Sequence, residues 1–300
     1  MGDISLFSIN DQVIQLTPGA FRLEQELQTL VEKNMGLFFG VTLLQSEFMF
    51  SGGRIDSLGI DENYCPTVFE YKRSQNENVI NQGLFYLDWL MDHKAEFKLL
   101  TIEKSGMDTA DKIDWSVPCV ICIASDFTKY DAHAVNQMQK NIKLVKYKKF
   151  GNNLILFDQI NVPVVKPTAN LLKIDPPIIN TSDKKFADQL SSTSKELREI
   201  YNEIKNYILS LGDDISMNEL KLYCAYKKIK NIICVEVQQK TITFYLRLNP
   251  DDFSEELTKN NIRDVRNIGH WGTGDLEITI KSIDDFEKIK SLIDRCYDEN

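Results

Sequence analysis

Apolar positions recur along this chain with two different periods, and the order in which they alternate predicts the architecture. Leu23, Leu27, Leu30 and Val31 fall at i, i+4, i+7 and i+8, one face of a helix, with Thr17-Pro18 as cap and first-turn proline and Gly36 as stop. Strand-like segments follow at 38–44, 53–60 and 66–73. A long helix is predicted over about 77–97, where Ile80, Leu84, Leu87 and Met91 make one stripe. An apolar strand at 117–124, a short helix near 131–140 and strands near 143–149 and 153–160 complete this half. The order α-β-β-β-α-β-α-β-β predicts an α/β fold, a mixed sheet flanked by helices.

Between Val162 and Asp183 the pattern dissolves. Pro163, Pro167, Pro176 and Pro177 punctuate the stretch, which reads as a linker over 165–183 between domains at 1–164 and 184–300. The second domain is smaller and α+β. A helix is expected over 184–211, with Leu197, Ile200, Tyr201, Ile204 and Ile208 as its stripe, then a short helix at 216–223. Strands at 232–238, 241–248 and 275–281 and a helix at 283–297 follow.

Composition narrows the options. No apolar run is long enough to span a bilayer, and the N-terminal residues lack a secretion signal, so a cytoplasmic protein without a membrane partner is expected. The six cysteines are scattered. Cys119 and Cys122 read C-x-x-C, but residues three apart on a strand point to opposite faces, so buried free thiols fit better than a zinc site. The net charge of −9 argues against non-specific coating of nucleic acid. Residues 1–164 carry 15 basic against 21 acidic side chains and residues 165–300 carry 20 against 23, so any polyanion site must be local. The run Lys140, Lys143, Lys146, Lys148 and Lys149 reads equally as a solvated strand and turn or as a phosphate-binding rim.

The chemistry sits around Asp56 and Glu70. Glu70 and Lys72 are two apart on a strand and share a face, while Phe69 and Tyr71 enter the core on the other. If the two strands form a hairpin centred on Asn63, Asp56 falls opposite Glu70, with Cβ atoms about 5 Å apart. Two unneutralised carboxylates at that spacing repel, and a divalent cation between them removes the penalty. Mg²⁺ suits such a site because it takes oxygen ligands and keeps several waters. The backbone carbonyl of Tyr71 is a further candidate ligand. Lys72 is placed to hold an attacking water or to neutralise charge in the transition state. Singly, each piece has an ordinary reading: a Glu-x-Lys alternation is commonly the wet face of a strand, and Glu24 and Gln82 are common helix-surface positions.

Taken in order, Glu24, Asp56, Glu70-x-Lys72 and Gln82-x-x-x-Tyr86 on helix, strand, strand and helix resemble the PD-(D/E)XK nuclease superfamily, in its restriction-endonuclease-like and archaeal NucS-type branches. The resemblance covers roughly residues 15–160. It implies a restriction-endonuclease-like sheet, Asp56 and Glu70 as metal ligands, Lys72 as catalytic lysine, Glu24 assisting from the first helix and Gln82 orienting the site. It also implies DNA as substrate; Mg²⁺, with Mn²⁺ substituting, is the expected cofactor, and cutting of both strands would favour a homodimer that presents two sites. A silent nucleic-acid-binding or adaptor protein on the same scaffold is the alternative. No proline sits directly before Asp56, where Ile55 stands, and many members of that superfamily also lack it.

The stretch from Arg263 to Glu277 resembles a C-terminal domain of unknown function that recurs in bacterial proteins labelled predicted transport proteins, often behind a nuclease-like domain. Gly269, Gly272 and Gly274 permit tight or positive-φ turns. Arg263, Arg266, His270 and Trp271, like Arg54 and Arg73 in the first domain, are candidates for contact with nucleic acid. A structural turn with Trp271 packed on the strands is the competing reading.

Overall fold

The computed structural model describes residues 4–9, 12–73, 78–138, 140–160, 186–253, 257, 261–270 and 272–300. The chain divides into two compact units: residues 1–60, 66–113 and 118–165 form the first, and residues 61–65, 114–117 and 166–300 form the second. The linker expected over 165–183 lies outside the described residues, as does Trp271.

In the first unit the elements run β1 (Leu6–Ile9), β2 (Val13–Leu16), β3 (Pro18–Gly19), α1 (Glu24–Lys33), α2 (Met35–Phe39), β4 (Val41–Phe50), β5 (Gly53–Asp61), β6 (Pro66–Tyr71), α3 (Val79–Asp92), α4 (Lys94–Ser105), α5 (Met107–Ala110), β7 (Cys119–Ala124), α6 (Lys129–Gln137), β8 (Asn141–Phe150) and β9 (Leu154–Ile160). A seven-stranded sheet has the order β3-β8-β7-β6-β5-β4, with β9 also on β8. The β5–β6 pair is antiparallel, while β6–β7 and β7–β8 are parallel. This is the mixed α/β sheet flanked by helices that the sequence and the restriction-endonuclease-like resemblance lead one to expect.

Period-two alternation along β6 and β7 divides the core. Val120 and Cys122 pack under Val79, Ile80 and Leu87 of α3. Phe69 meets Phe39 of α2, which also contacts Phe157. Gly83 lets α3 close on the sheet, since a Cβ there would stand 2.5 Å from Val120. On α1, Leu27 and Val31 are fully buried, each contributing about 1.5–3 kcal/mol.

Several boundaries differ from expectation, for local reasons. Pro18-Gly19 pairs with Phe150 and Lys149 instead of opening a helix, and α1 starts at Glu24. Gly36 lies inside α2, and the stop is Gly40, at φ +64. The long helix breaks at His93, whose ring stacks on Trp89 and whose Nδ1 lies 2.7 Å from the Trp89 carbonyl. No glycine or proline marks that break, so the apolar stripe runs straight through it.

The second unit continues with α7 (Phe186–Ser192), α8 (Lys195–Ser210), β10 (Ser216–Glu219), β11 (Cys224–Lys227), β12 (Asn231–Val237), β13 (Ile242–Leu246), a 3₁₀ turn at Pro250–Phe253, β14 (Ile262–Asp264), β15 (Leu276–Ile280) and α9 (Ile283–Glu299). The expected 184–211 helix is two helices, because Ser194 caps α8 by accepting from the Leu197 N–H. The segment read as a helix at 216–223 is instead strand β10, paired with β11 from Ser216↔Lys227 to Glu219↔Cys224. Pairing with a neighbour overrides local propensity there. The six strands, in order β10-β11-β12-β13-β15-β14, are all antiparallel. Ile233 and Val235 of β12 pack under Ile204 of α8 and Ile293 of α9, while Cys234 between them faces Tyr223, Tyr245 and Cys65. All six cysteines are buried thiols, none of them joined in a disulfide.

Among the described residues no helix is long and apolar enough to cross a membrane.

Candidate active site

The β5–β6 register runs Ser57↔Phe69, Leu58↔Val68, Gly59↔Thr67 and Ile60↔Pro66, which centres the hairpin on Asn63. One further step sets Asp56 opposite Glu70, side chains on the same face. Both are buried, Asp56 at 8% and Glu70 at 2% exposure. The Asp56 Oδ2 accepts a hydrogen bond from the Tyr71 N–H at 3.1 Å. Lys72 lies just past β6, where its own N–H donates to the Ile123 carbonyl. Its Nζ donates to Glu70 Oε1 at 2.8 Å and stands 3.6 Å from Glu24 Oε1. Glu24, the first residue of α1, also accepts from the Arg73 N–H at 3.0 Å. Asp56, Glu70, Lys72 and Glu24 are therefore brought together.

Charge is unbalanced in this cluster. Burial, and then the charge of Asp56, push the Glu70 carboxyl up to about 7 despite its bond to Lys72. Burial also raises Asp56, against the lowering effect of the Tyr71 N–H. Burial alone would lower Lys72, but Glu70, Glu24 and Asp56 raise it, so the amine stays charged. The Glu70 Oε2 is buried and, among the described residues, has no hydrogen-bond partner. An acceptor oxygen orphaned in this way costs about 1–3 kcal/mol, more when charged.

That orphan is the observation against which a divalent cation can be tested. A cation contacting Glu70 Oε2 would satisfy the oxygen, offset the repulsion with Asp56 and favour the ionised form of both. Among the described residues no three His, Cys, Asp or Glu side chains converge as a ligand cluster. The protein would then supply two carboxylates and the Tyr71 carbonyl, and water the rest, a donor set that fits Mg²⁺.

The other expected residues are placed as follows. Gln82 is half-buried on α3, one turn before Tyr86, whose hydroxyl is raised by burial and then by the charges of Glu70 and Asp56. Arg54 pairs with Glu47, and Arg73 Nη1 donates to the Arg22 carbonyl. In the second unit Arg263 pairs with Glu277, and Arg266 bridges Asp251 and Asp264. The His270 ring stacks on Tyr245 at 4.5 Å. Gly272 and Gly274 take φ +87 and +141, as a tight loop requires, and Gly269 does not.

Two features escaped sequence reading. Gln28, 7% exposed, donates to the Asp56 carbonyl at 3.0 Å. An aromatic column also joins β4 to α3: Phe50, which meets Tyr86, stacks on Trp89 at 4.5 Å, and Trp89 on His93 at 4.2 Å. The Glu24–Gln28–Glu32 spacing was a visible signal for the first, since it sets three polar groups on one helical stripe.

A protein of Haemophilus influenzae, described as uncharacterized, is 34% identical over 289 residues, 94% of this chain and 95% of its own length. The chain belongs to that protein's family. Residues 186–300 match the family described as a domain of unknown function, DUF5655. Two solved structures share 14% identity at a TM-score of 0.29. One is a repair endonuclease from Pyrococcus abyssi, matched over 47% of this chain and 65% of its own. The other is EndoMS in complex with double-stranded DNA, matched over 48% and 64%. The chain thus spans slightly under two thirds of each.

Proposed function

We propose that this chain is a metal-dependent nuclease that hydrolyses phosphodiester bonds of DNA at Asp56, Glu70 and Lys72. The observation that carries the reading is the buried Glu70 Oε2, without a hydrogen-bond partner among the described residues, beside a second buried carboxylate and a charged lysine. A Mg²⁺ ion held by Asp56, Glu70 and the Tyr71 carbonyl would supply Lewis acidity and lower the pKa of a bound water.

The chain's own groups do the remainder. Asp56 and Glu70 bind as carboxylates, which requires Glu70 to lose the proton that burial favours. Lys72, held by Glu70 and Glu24, presents its ammonium where negative charge develops on phosphate. Glu24 tethers the Arg73 backbone and so fixes the chain leaving β6. Gln82 orients the site from α3. Arg54 and Arg73 flank it with positive charge for the DNA backbone, and the Phe50–Trp89–His93 column offers faces on which bases stack. The second unit serves recognition or assembly, and a homodimer presenting two sites would cut both strands. The reading suits a protein acting in the cytoplasm, where DNA is at hand.

Plasmid, single-stranded DNA and RNA incubated with Mg²⁺ or Mn²⁺ test this directly. Metal-dependent cutting of DNA is expected, with loss in a folded Lys72→Ala variant. Retention of full cutting by that variant, or DNA binding without cutting under every metal tried, would reject it.

A further inference from the structure

We propose that Gln28 is a positioning residue for the two-carboxylate centre, an inference that rests on reading Asp56 and Glu70 as metal-binding groups. Gln28 lies on α1 between Glu24 and Glu32, each one helical turn away, and is almost wholly buried. Its Nε2 is 3.0 Å from the Asp56 carbonyl, 3.0 Å from Glu32 Oε1, 3.0 Å from Glu47 Oε1 and 3.4 Å from Ser46 Oγ. An amide carries two N–H donors, so four acceptors converge on a group that can fully satisfy two.

Two of those acceptors bear on the site. Asp56 is tethered at both ends: Gln28 grips its backbone carbonyl, and the Tyr71 N–H grips its carboxylate. The aspartate is thus fixed in place and in orientation before any ion arrives. Glu47 adds a second constraint. It lies within β4 at φ +53, a left-handed conformation that costs a non-glycine residue about 1–3 kcal/mol and persists only where its surroundings hold it. Gln28 on one side and Arg54 on the other hold Glu47, and its charge acts on Asp56. From Glu32 the same network continues to Ser57 Oγ at 2.7 Å and on to the Tyr71 hydroxyl at 3.1 Å. Residues adjoining both carboxylates, Ser57 next to Asp56 and Tyr71 next to Glu70, are therefore linked through α1.

A residue that only fills the core would affect stability when replaced; one that positions a ligand would also affect metal affinity. Groups that orient metal-binding side chains typically contribute about 10–100-fold in affinity. Full-length wild type and Gln28→Met are titrated with Mn²⁺ by calorimetry, with circular dichroism as the check on folding. Binding by Gln28→Met is expected to weaken by about 10–100-fold. Gln28→His, whose Nε2–H keeps one donor, should recover part of the loss. A folded Gln28→Met that binds Mn²⁺ with wild-type affinity overturns the positioning role and leaves the nuclease reading intact. Wild type that binds no Mn²⁺ overturns both. If Gln28→Met does not fold, the side-chain amide resonance of Gln28 in wild type is followed during Mg²⁺ addition. It is expected to shift with the binding midpoint, and a resonance that stays still overturns the inference.

Discussion

Two clusters of buried charge in this chain differ in how completely they are satisfied. In the second unit Lys227 Nζ donates to Asp61 Oδ2 at 3.0 Å, and Asp61 Oδ1 accepts from the N–H groups of Asn63 and Cys65. Asn63 Oδ1 accepts from the Tyr223 hydroxyl and from Asn231, and Glu62 pairs with Arg247. Each of these charged and polar groups has a partner there. In the first unit Asp56 and Glu70 share one lysine, and an oxygen is left over. Burying charge without a partner costs several kcal/mol, so a satisfied cluster reads as structure and an unsatisfied one as a place awaiting a ligand.

The most severe test of that contrast is to unmatch the matched cluster. Lys227→Met strands Asp61 in the interior, and urea denaturation should register a loss of about 3–5 kcal/mol. A loss well under 1 kcal/mol would mean that the pair is not structural. Lys72→Ala should instead leave the protein folded and lower the rate of metal-dependent DNA cleavage by about 10²–10³-fold, measured under single-turnover conditions.

The third prediction turns on pH. Glu70 is raised from 4.5 to about 7, so between those values the folded state holds a proton that the unfolded state has released. Stability of the metal-free protein must therefore be highest below pH 4.5, as far as this group is concerned, and fall as pH rises through 7. Glu70→Gln removes that decline. Each tenfold change in proton affinity is worth about 1.4 kcal/mol, so the variant should be stabilised by about 3 kcal/mol at pH 8 and by nothing at pH 4. Equal effects at both pH values would contradict the assignment. Mn²⁺ affinity should rise with pH up to about 7 for the same reason, since the ion needs the carboxylate.

Arg266→Ala is expected to have the smallest effect. Its partners Asp251 and Asp264 are on the surface, where solvent screens the pair, so thermal and chemical melts should barely move. If the salt dependence of DNA binding shifted as well, with its slope shallower by about 1, Arg266 would be contacting phosphate in addition to its own acids.

The contrast also explains what was legible in sequence. The hairpin centre at Asn63 could be read because strands have a period of two and the turn residues mark its middle, and the observed register agrees. Glu70-x-Lys72 was legible for the same reason. What Asn63 does was hidden, because its partners Tyr223 and Asn231 lie 160 and 168 residues away. Gln28 sits on the polar stripe of α1, and only the approach of Glu47 and the Asp56 carbonyl makes it buried. The mistaken helix at 216–223 has the same origin: the strand exists because β11 is beside it. Local periodicity revealed elements and one face of the site, while the groups that hold the site in place depend on distant segments.

The proposal sets one cation between Asp56 and Glu70, and a crystal of the full chain grown with Mn²⁺ and measured at the manganese edge would decide the matter. The predicted result is an anomalous peak in contact with Glu70 Oε2 and an Asp56 oxygen, beside the Tyr71 carbonyl. Density without manganese there, with the Asp56 and Glu70 side chains in their present positions, would refute it.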